Sequence, residues 1–206
     1  MTKQKIKDLS APQLVVLSAP SGGGKTTICR ILAKRNPDFR ISVSVTSRPP
    51  RPREKEGTDY FFVNQSDFLR LVEKGDLLEY EQVHGNYYGT LKSKVEEILS
   101  AGHTVLFDID VNGALHIKES FPQAILIFIR PPSVDELERR LKGRKSEDEV
   151  QIRKRLQRLP LEYEKSGAFD YDIINSNLEQ TVSKIERIIR DHQTRVIHVS
   201  GETVQK

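Results

Sequence analysis

The chain has 206 residues, of which 36% are hydrophobic and 30% charged, and its formal net charge is +4. This length suits one domain with room for inserted subdomains. The single cysteine, Cys29, excludes an intramolecular disulfide framework and favours a reducing compartment, and no apolar run reaches the roughly 20 residues of a membrane span.

The chain begins with a polar, basic stretch, Met1–Leu9, that lacks the apolar segment of a secretory signal. We therefore expect a flexible N-terminus over residues 1–12 and a cytoplasmic protein. The mildly basic charge leaves nucleic acid, an anionic membrane or small phosphorylated ligands open as partners. The histidines are scattered without metal-ligand spacing, so they predict no metal site.

The first apolar run, Leu14–Leu17, predicts a buried strand, and a helix is predicted at Thr26–Lys34. The turn between them reads Ala19, Pro20, Ser21, Gly22, Gly23, Gly24, Lys25, Thr26, Thr27. A strand, a glycine-rich turn, Gly-Lys-Thr and a helix in this order are typical of a loop that binds nucleotide phosphates. Lys25 can reach the β- and γ-phosphates and the Thr26 hydroxyl can bind Mg²⁺, although Ala19 stands where the signature has glycine.

Later apolar runs, separated by glycine, proline and polar clusters, predict strands alternating with helices. The predicted strands are Phe39–Ser44, Tyr60–Val63, Leu77–Val83, Thr104–Asp110, Ala124–Ile129 and Tyr171–Ile174. The predicted helices are Ser66–Lys74, Lys92–Ala101, Val111–Ser120, Ser133–Lys142, Ser146 to about Lys165, and Leu178–Arg190 and beyond. Ser66 is the predicted N-cap of the first. Capping boxes are predicted for the fourth, Ser133 with Glu136, and for the fifth, Ser146 with Glu149. Thr46–Thr58 is predicted to be a loop and Gly85–Gly89 a turn.

This alternation predicts an α/β fold, a P-loop three-layer sandwich whose mostly parallel sheet is covered on both faces. Ligands in such folds bind at the carboxyl ends of the strands, where the glycine-rich loop and Asp108 both fall. Two stretches break the alternation: residues of about 45–91, which are mixed, and about 139–158, which are helical and rich in arginine. We interpret residues 13–190 as one domain with these two insertions, followed by a helix end and tail at 191–206.

Three groups of residues outside the glycine-rich loop suggest chemistry. Asp108 ends an apolar strand, where P-loop enzymes place a carboxylate that helps to hold Mg²⁺, although it could also cap the next helix. Arg48, Arg51 and Arg53 lie in a proline-braced loop that suits bidentate phosphate contacts, and a solvated basic loop is the plainer alternative.

The third group is an arginine-rich pair of helices in which basic and acidic residues are interleaved. A nucleic-acid surface is normally less diluted by carboxylates, so this pair resembles a mobile lid that brings arginines onto a transferring phosphoryl group. Most of its charges are expected to be solvated, and two or three to act. The basic members are Arg139, Arg140, Lys142, Arg144, Lys145, Arg153, Lys154, Arg155 and Arg158.

The segments 42–51 with 57–63, 85–90 and 108–110 resemble the nucleoside-monophosphate site of the guanylate kinase family. With the glycine-rich loop and the arginine-rich helices, the resemblance extends from about Gln13 to Arg190. It implies transfer of a phosphoryl group from ATP to GMP, and to dGMP, with Mg²⁺ as cofactor. It also implies a small GMP-binding subdomain and a helical lid beside the core.

The resemblance assigns roles to individual residues. The GMP phosphate would be held by Arg48, Arg51, Tyr60 and Tyr88. The guanine would be read by Ser44, Glu79, Thr90 and Asp110. ATP and the migrating phosphoryl group would be held by Lys25 with the lid arginines Arg140, Arg144 and Arg155, and Asn175 would line the adenine site.

Chemistry supports Glu79 independently, because a carboxylate can accept from guanine N1–H and the 2-amino group, whereas adenine presents an acceptor at N1. Thr90 could donate to guanine O6.

Three alternatives remain open at this point. A non-catalytic guanylate-kinase-like module would bind protein partners, but the intact Lys25 and Thr26 argue against it. A P-loop kinase for another small phosphate acceptor is opposed by Glu79 with Thr90. Binding of nucleic acid is disfavoured because the arginines cluster at ligand-binding ends of the fold. We expect ATP and GMP as partners, with no nucleic acid or membrane, and either a monomer or a homodimer.

Overall fold

The computed structural model describes residues 12–52, 54–83, 85–143 and 149–202, with side chains as far as residue 194. Along this part of the chain the elements are β1 (Leu14–Ser18), α1 (Lys25–Arg35), β2 (Phe39–Ile41), β3 (Val45–Thr46), β4 (Phe61–Phe62), α2 (Gln65–Glu73), β5 (Leu77–Val83), β6 (Asn86–Leu91), α3 (Lys92–Ser100), β7 (Thr104–Asp108), α4 (Val111–Ser120), β8 (Ile125–Arg130), α5 (Val134–Gly143), α6 (Glu149–Gln157), α7 (Leu159–Lys165), β9 (Tyr171–Ile174) and α8 (Leu178–Glu202).

The larger sheet has five parallel strands in the order β2-β7-β1-β8-β9. Val16 of β1 lies opposite Phe107 of β7 on one side and Leu126 of β8 on the other. Every residue of β1 is buried, as its continuous apolar run predicts for a central strand that is covered on both faces. The predicted parallel sheet is therefore confirmed.

Alternate residues of β1 contact different layers of helices. Val15 and Leu17 belong to a core completed by side chains of α1 and α8, whereas Leu14 and Val16 belong to a second core completed by α3 and α4. This alternation follows from the two-residue period of a strand. It produces the predicted three layers and brings the carboxyl ends of β1, β7 and β8 together at one edge of the sheet.

A second sheet, in the order β4-β3-β6-β5, is built by residues 45–91. Its β3 and β4 are parallel, while β6 is antiparallel to both β3 and β5. A separate small core of Val45, Phe68 and Leu77 lies beneath it, and the Phe68 ring stacks on Tyr87 at 5.3 Å. The mixed, partly antiparallel character expected for this stretch is confirmed.

Two predictions in this region were wrong in detail. The predicted strand Phe39–Ser44 ends early, because the chain leaves the large sheet at Ile41, and a second strand begins in the small sheet at Val45. The predicted turn Gly85–Gly89 is mostly strand β6, since β5 and β6 form a tight hairpin in which Val83 pairs with Asn86. Gly85 itself has a φ of 80°, which suits the turn.

Helix boundaries also differ from the predictions. The N-cap of α2 is Asn64, whose Oδ1 accepts from the Asp67 amide at 2.8 Å, and Ser66 donates to that same oxygen. The helix predicted from Ser146 to Lys165 is two helices, α6 and α7, separated at Arg158; Pro160 lies in the first turn of α7, where proline is tolerated. Ser146 itself lies outside the described residues.

The capping box predicted at Ser133 is only half formed. The Ser133 hydroxyl accepts from the Glu136 amide at 3.1 Å, but the Glu136 carboxylate binds Arg139 and Arg140 instead of reaching back to the cap.

Among the described residues, no helix has the length and apolar character needed to cross a lipid bilayer.

Candidate active site

The glycine-rich loop joins β1 to α1 at the carboxyl edge of the large sheet, as predicted. Gly22 and Gly24 have φ values of 91° and 97°, in the left-handed region that favours glycine. A Cβ on Gly23 would lie 2.9 Å from the Ala19 Cβ and 3.0 Å from the Pro20 carbonyl oxygen. Ala19 thus packs against Gly23 at the entry to the loop.

Lys25, at the first turn of α1, is held by two groups from the end of β7. Its Nζ lies 3.1 Å from Asp108 Oδ1 and donates to the Ile109 carbonyl oxygen at 2.7 Å. Burial alone would lower the pKa of Lys25, but the neighbouring Asp108 outweighs burial and the pKa lies above its ordinary value. The ammonium group is therefore charged and positioned beside the loop.

Two adjoining cavities meet in front of the loop. The first, of about 300 Å³, is lined by the glycine-rich loop together with Tyr60, Val83, Asp108, Asp110, Arg155, Arg158 and Glu162. The second, of about 260 Å³, is lined by Ser21, Arg48, Arg51, Tyr60, Val83, Tyr88, Lys154, Arg155, Arg158 and Glu162. Because the two share several lining residues, they form one groove between the loop and the small sheet. We call them the loop cavity and the acceptor cavity.

Arg48 is held in the wall of the acceptor cavity by an ion pair. Its NH1 and NH2 donate to the two carboxylate oxygens of Glu54, each at 2.9 Å, and the guanidinium lies 5.2 Å from the centre of the Tyr60 ring. The Glu54 carboxylate raises the pKa of Arg48, to which Tyr88 also contributes, and Arg48 in turn lowers the pKa of Glu54. The predicted cluster of Arg48, Tyr60 and Tyr88 is thus assembled, with Arg51 exposed at its rim.

Glu79, on β5, is nearly fully buried, with 7% of its surface exposed. It accepts from the Thr90 hydroxyl at 2.6 Å. Burial raises the pKa of Glu79 to about 7, the nearby Asp110 and Glu81 add to the rise, and the hydrogen bond from Thr90 opposes it. Because the Thr90 hydrogen is committed to Glu79 in this structure, donation to guanine O6 would require that bond to break.

The other two residues predicted to read the base lie on either side of Glu79 in the chain. Asp110 follows β7 and caps α4, with its Oδ1 accepting from the Gly113 amide at 2.9 Å. Ser44 immediately precedes β3 and is half-buried, and its carbonyl oxygen accepts from the Phe61 amide. Gly113 faces Glu79 closely, since a Cβ there would lie 2.9 Å from Glu79 Oε2.

The arginine-rich helices also contact the glycine-rich loop and its neighbours. Arg155 donates to the Ser21 hydroxyl. Arg140 donates to Glu136 at 2.8 Å and to the Asn175 carbonyl oxygen at 3.2 Å. Arg144 lies outside the described residues.

Asn175, predicted to line an adenine site, is buried with 4% of its surface exposed. Its Nδ2 donates to the Gly23 carbonyl oxygen at 3.1 Å, so the side chain braces the glycine-rich loop. This bracing role was not predicted, because it joins residues that are 152 positions apart.

A family model described as guanylate kinase matches residues 11–192. The chain belongs to the guanylate kinase family. A guanylate kinase of Synechococcus sp. (strain JA-3-3Ab) is 45% identical over 177 residues, which are 86% of this chain and 82% of the relative. A guanylate kinase of Thermotoga maritima is 41% identical over 184 residues, 89% of each chain. The crystal structure of guanylate kinase from Anaplasma phagocytophilum has a TM-score of 0.74 at 36% identity and covers 89% of this chain and 87% of that one.

Membership of the guanylate kinase family confirms the resemblance inferred from the motifs. Sequence reasoning nevertheless gave no individual role to Arg158, and it missed Glu162, which lines the groove, and Glu54, which pairs with Arg48. Arg155, Arg158 and Glu162 follow one another at spacings of three and four, which would place them on one face of the single helix predicted here. In the structure Arg155 belongs to α6, Arg158 separates the two helices and Glu162 belongs to α7. Burial raises the pKa of Glu162, while Arg158 opposes that rise.

No group of three or more histidine, cysteine, aspartate or glutamate side chains within the described ranges could hold a metal ion. Thr26 and Asp108 do line the same loop cavity, and both offer the oxygen ligands that Mg²⁺ prefers. Mg²⁺ in phosphoryl-transfer sites typically keeps few protein ligands and takes the rest from phosphates and water. The donor set therefore fits a metal that arrives with a nucleotide.

Proposed function

We propose that this protein transfers the γ-phosphoryl group of ATP to GMP, giving ADP and GDP. The observation that carries the proposal is a groove that joins a complete phosphate-binding loop to Arg48, Tyr60 and Tyr88. The buried carboxylate of Glu79 lies on β5, opposite Thr90 of β6, the strand that also carries Tyr88. A groove with one phosphate-binding end and one end that offers a carboxylate to a base suits two nucleotides bound end to end.

The acceptor nucleotide would lie against the small sheet. Arg48, Arg51, Tyr60 and Tyr88 supply donors for the GMP phosphate, and the planar guanidinium suits bidentate contact. Ser44, Glu79, Thr90 and Asp110 surround the base. An ionised Glu79 accepts from guanine N1–H and the 2-amino group, and a site of this kind can reject a base lacking those donors by ~10⁴–10⁵.

The donor nucleotide would lie on the glycine-rich loop. Backbone amides of residues 22–27 and Lys25 hold the β- and γ-phosphates, with the N-terminus of α1 behind them. Thr26 and Asp108 would hold Mg²⁺, which when bound neutralises charge on the triphosphate. Arg140, Arg144 and Arg155 would bind ATP and the phosphoryl group, and Asn175 keeps the loop in shape behind the adenine side.

The reaction needs no covalent intermediate. A phosphate oxygen of GMP forms a bond to the γ-phosphorus, and the bond from that phosphorus to the β-γ bridging oxygen breaks with ADP as leaving group. Lys25 and the arginines stabilise the charge on the transferring group, and the protein contributes alignment and electrostatics. We take residues 45–91 as the GMP-binding insertion and 139–158 as the lid, and the contact of Arg155 with Ser21 supports a lid that reaches the loop.

A substrate panel tests the proposal. The protein is incubated with ATP, Mg²⁺ and each of GMP, AMP, CMP and UMP, and ADP formation is measured. We expect ADP with GMP, little with the other three, and a loss of several orders of magnitude in Lys25→Met. Absence of ADP formation with GMP would overturn the proposal, and equal rates with AMP would overturn the role of Glu79.

A further inference from the structure

Glu54 lies in the loop after β3 and binds both arms of the Arg48 guanidinium. The Arg48 and Glu54 side chains are 11% and 18% exposed, so the pair is largely withdrawn from water. Glu54 Oε2 also accepts from the Arg51 backbone amide at 2.7 Å. One carboxylate thus links the two arginines that the proposed function assigns to the GMP phosphate.

A count of the donors on Arg48 shows what this pairing leaves available. A guanidinium has five N–H donors in a fixed plane. Two of them go to Glu54, and a third, on NH1, goes to the Pro49 carbonyl oxygen at 2.7 Å. The remaining two, the Nε–H and the second NH2 hydrogen, lie side by side on the other edge of the plane.

Arg48 lies in the wall of the acceptor cavity. Arg48 and Tyr88 both line the cavity, and the Tyr88 hydroxyl interacts with the same guanidinium. Arg48 Nε is buried and has no hydrogen-bond partner within the described part of the chain. A buried donor without a partner is costly, so the bonds that Glu54 makes to the other end of the guanidinium matter for keeping Arg48 in this position.

We propose that Glu54 is a positioning residue: it binds the end of the Arg48 guanidinium and so fixes this side chain in the wall of the acceptor cavity, where the GMP phosphate would bind. This inference rests on the proposed function. A carboxylate near a phosphate site would by charge alone weaken the binding of an anion, so Glu54 could act as a competitor that phosphate must displace. The two roles predict opposite signs when Glu54 is removed.

The experiment compares Glu54→Ala and Glu54→Gln with wild type, using Glu56→Gln as the control. Glu56 is in the same loop and carries the same charge, but its carboxylate accepts from the Phe62 amide, a bond that glutamine retains. For each variant, KM is measured for GMP and for ATP, and guanosine is tested as a competitive inhibitor because it lacks the phosphate. Thermal unfolding checks that each variant is folded.

Removing a hydrogen-bonded charged partner typically costs about tenfold or more in affinity. We expect KM for GMP to rise by about tenfold in Glu54→Ala and by less in Glu54→Gln, which retains one acceptor. KM for ATP and inhibition by guanosine should change less than about twofold, and Glu56→Gln should resemble wild type. A fall in KM for GMP would show competition and overturn the positioning role.

A double-mutant cycle with Arg48→Lys shows whether Glu54 acts through Arg48. Lysine has no planar guanidinium for Glu54 to hold through two bonds, so Glu54→Ala should have little further effect in the Arg48→Lys background. Additive effects would overturn the inference while leaving the GMP site intact. If Arg48→Lys itself leaves KM for GMP unchanged, the assignment of Arg48 under the proposed function fails, and the role of Glu54 fails with it.

Discussion

Lys25, Arg48 and Glu79 carry the charge on which the proposed chemistry depends, and each is paired before any substrate binds. Their partners are Asp108, Glu54 and Thr90. Pairing is expected, because a charge withdrawn from water without a partner is strongly unfavourable. The sequence predicted Lys25 and Arg48 from motifs and Glu79 from the family resemblance and the donors of guanine, but the pairing of Arg48 with Glu54 required the folded loop.

The raised pKa of Glu79 predicts a dependence on pH. In the proposed function its carboxylate binds guanine when ionised, and the ionised fraction of a group with a pKa of about 7 falls as the pH drops. We expect kcat/KM for GMP to fall about tenfold between about pH 8 and about pH 6, since kcat/KM reports groups of the free enzyme. The measurement is a pH profile at saturating ATP.

Two comparisons keep that profile interpretable. The phosphate of GMP has its own second ionisation near pH 6, and this adds to the fall in kcat/KM only at the acid end of the profile. Glu79→Gln should lose most activity toward GMP and should not show the inflection near pH 7. A wild-type profile that stays flat down to about pH 6 would contradict the prediction.

Gly113 is predicted to determine specificity through Glu79. Alanine is favoured over glycine inside a helix by roughly 1 kcal/mol, so Gly113→Ala should fold about as stably as wild type. Its Cβ would lie 2.9 Å from Glu79 Oε2, so the carboxylate must move. We expect kcat/KM for GMP to fall about tenfold or more and the preference for GMP over IMP, which lacks the 2-amino group, to narrow.

The control for this prediction is Gly167→Ala, because a Cβ at Gly167 meets no heavy atom within 4 Å. That variant should match wild type toward both nucleotides. The role assigned to Gly113 is wrong if Gly113→Ala keeps the full ratio of GMP to IMP activity.

At the scale of secondary-structure elements, strands were predicted well where apolar runs are continuous and poorly where the chain changes sheet. β1, β7 and β8 are buried on both faces, so their composition alone identifies them. The segment 39–46 was predicted less well, because an extended backbone looks the same whether it pairs in one sheet or passes between two. Helix ends were missed where more than one residue could serve as the cap.

The cap of α2 gives a direct test. Asn64→Ala removes the acceptor of the Asp67 amide and should lower the free energy of unfolding by about 1 kcal/mol. Ser66→Ala removes only a hydroxyl that donates to Asn64 and should change it by less than about 0.5 kcal/mol. Urea unfolding followed by circular dichroism measures both. The reverse order of effects would restore Ser66 as the cap.

At the scale of the whole molecule, Asn175 connects three parts that are distant in sequence. Its side chain donates to Gly23, its amide donates to the Arg130 carbonyl oxygen, and its own carbonyl oxygen accepts from Arg140. The glycine-rich loop, the end of β8 and an arginine of α5 are thereby held in one arrangement.

Residues 191–194 of the predicted tail continue α8, and Gln193 is buried.

Asn175→Ala is therefore predicted to weaken ATP binding selectively. The Gly23 carbonyl loses its donor and the loop loses its brace, so KM for ATP should rise about fivefold to tenfold while KM for GMP stays within about twofold. Asn177→Ala is the matched control, since Asn177 Oδ1 accepts from the Gln180 amide at the start of α8. Equal effects on both substrates would contradict the bracing role.

The sequence by itself determined the α/β class, the phosphate-binding loop and the guanylate kinase motifs, because these depend on short-range patterns of glycine, charge and hydrophobicity. The tertiary structure alone decided how those groups are held: Glu54 on Arg48, Thr90 and Gly113 against Glu79, and Asn175 against Gly23. Such contacts join residues from separate loops, strands and helices, and their geometry arises only when both sheets and the arginine-rich helices pack around one groove.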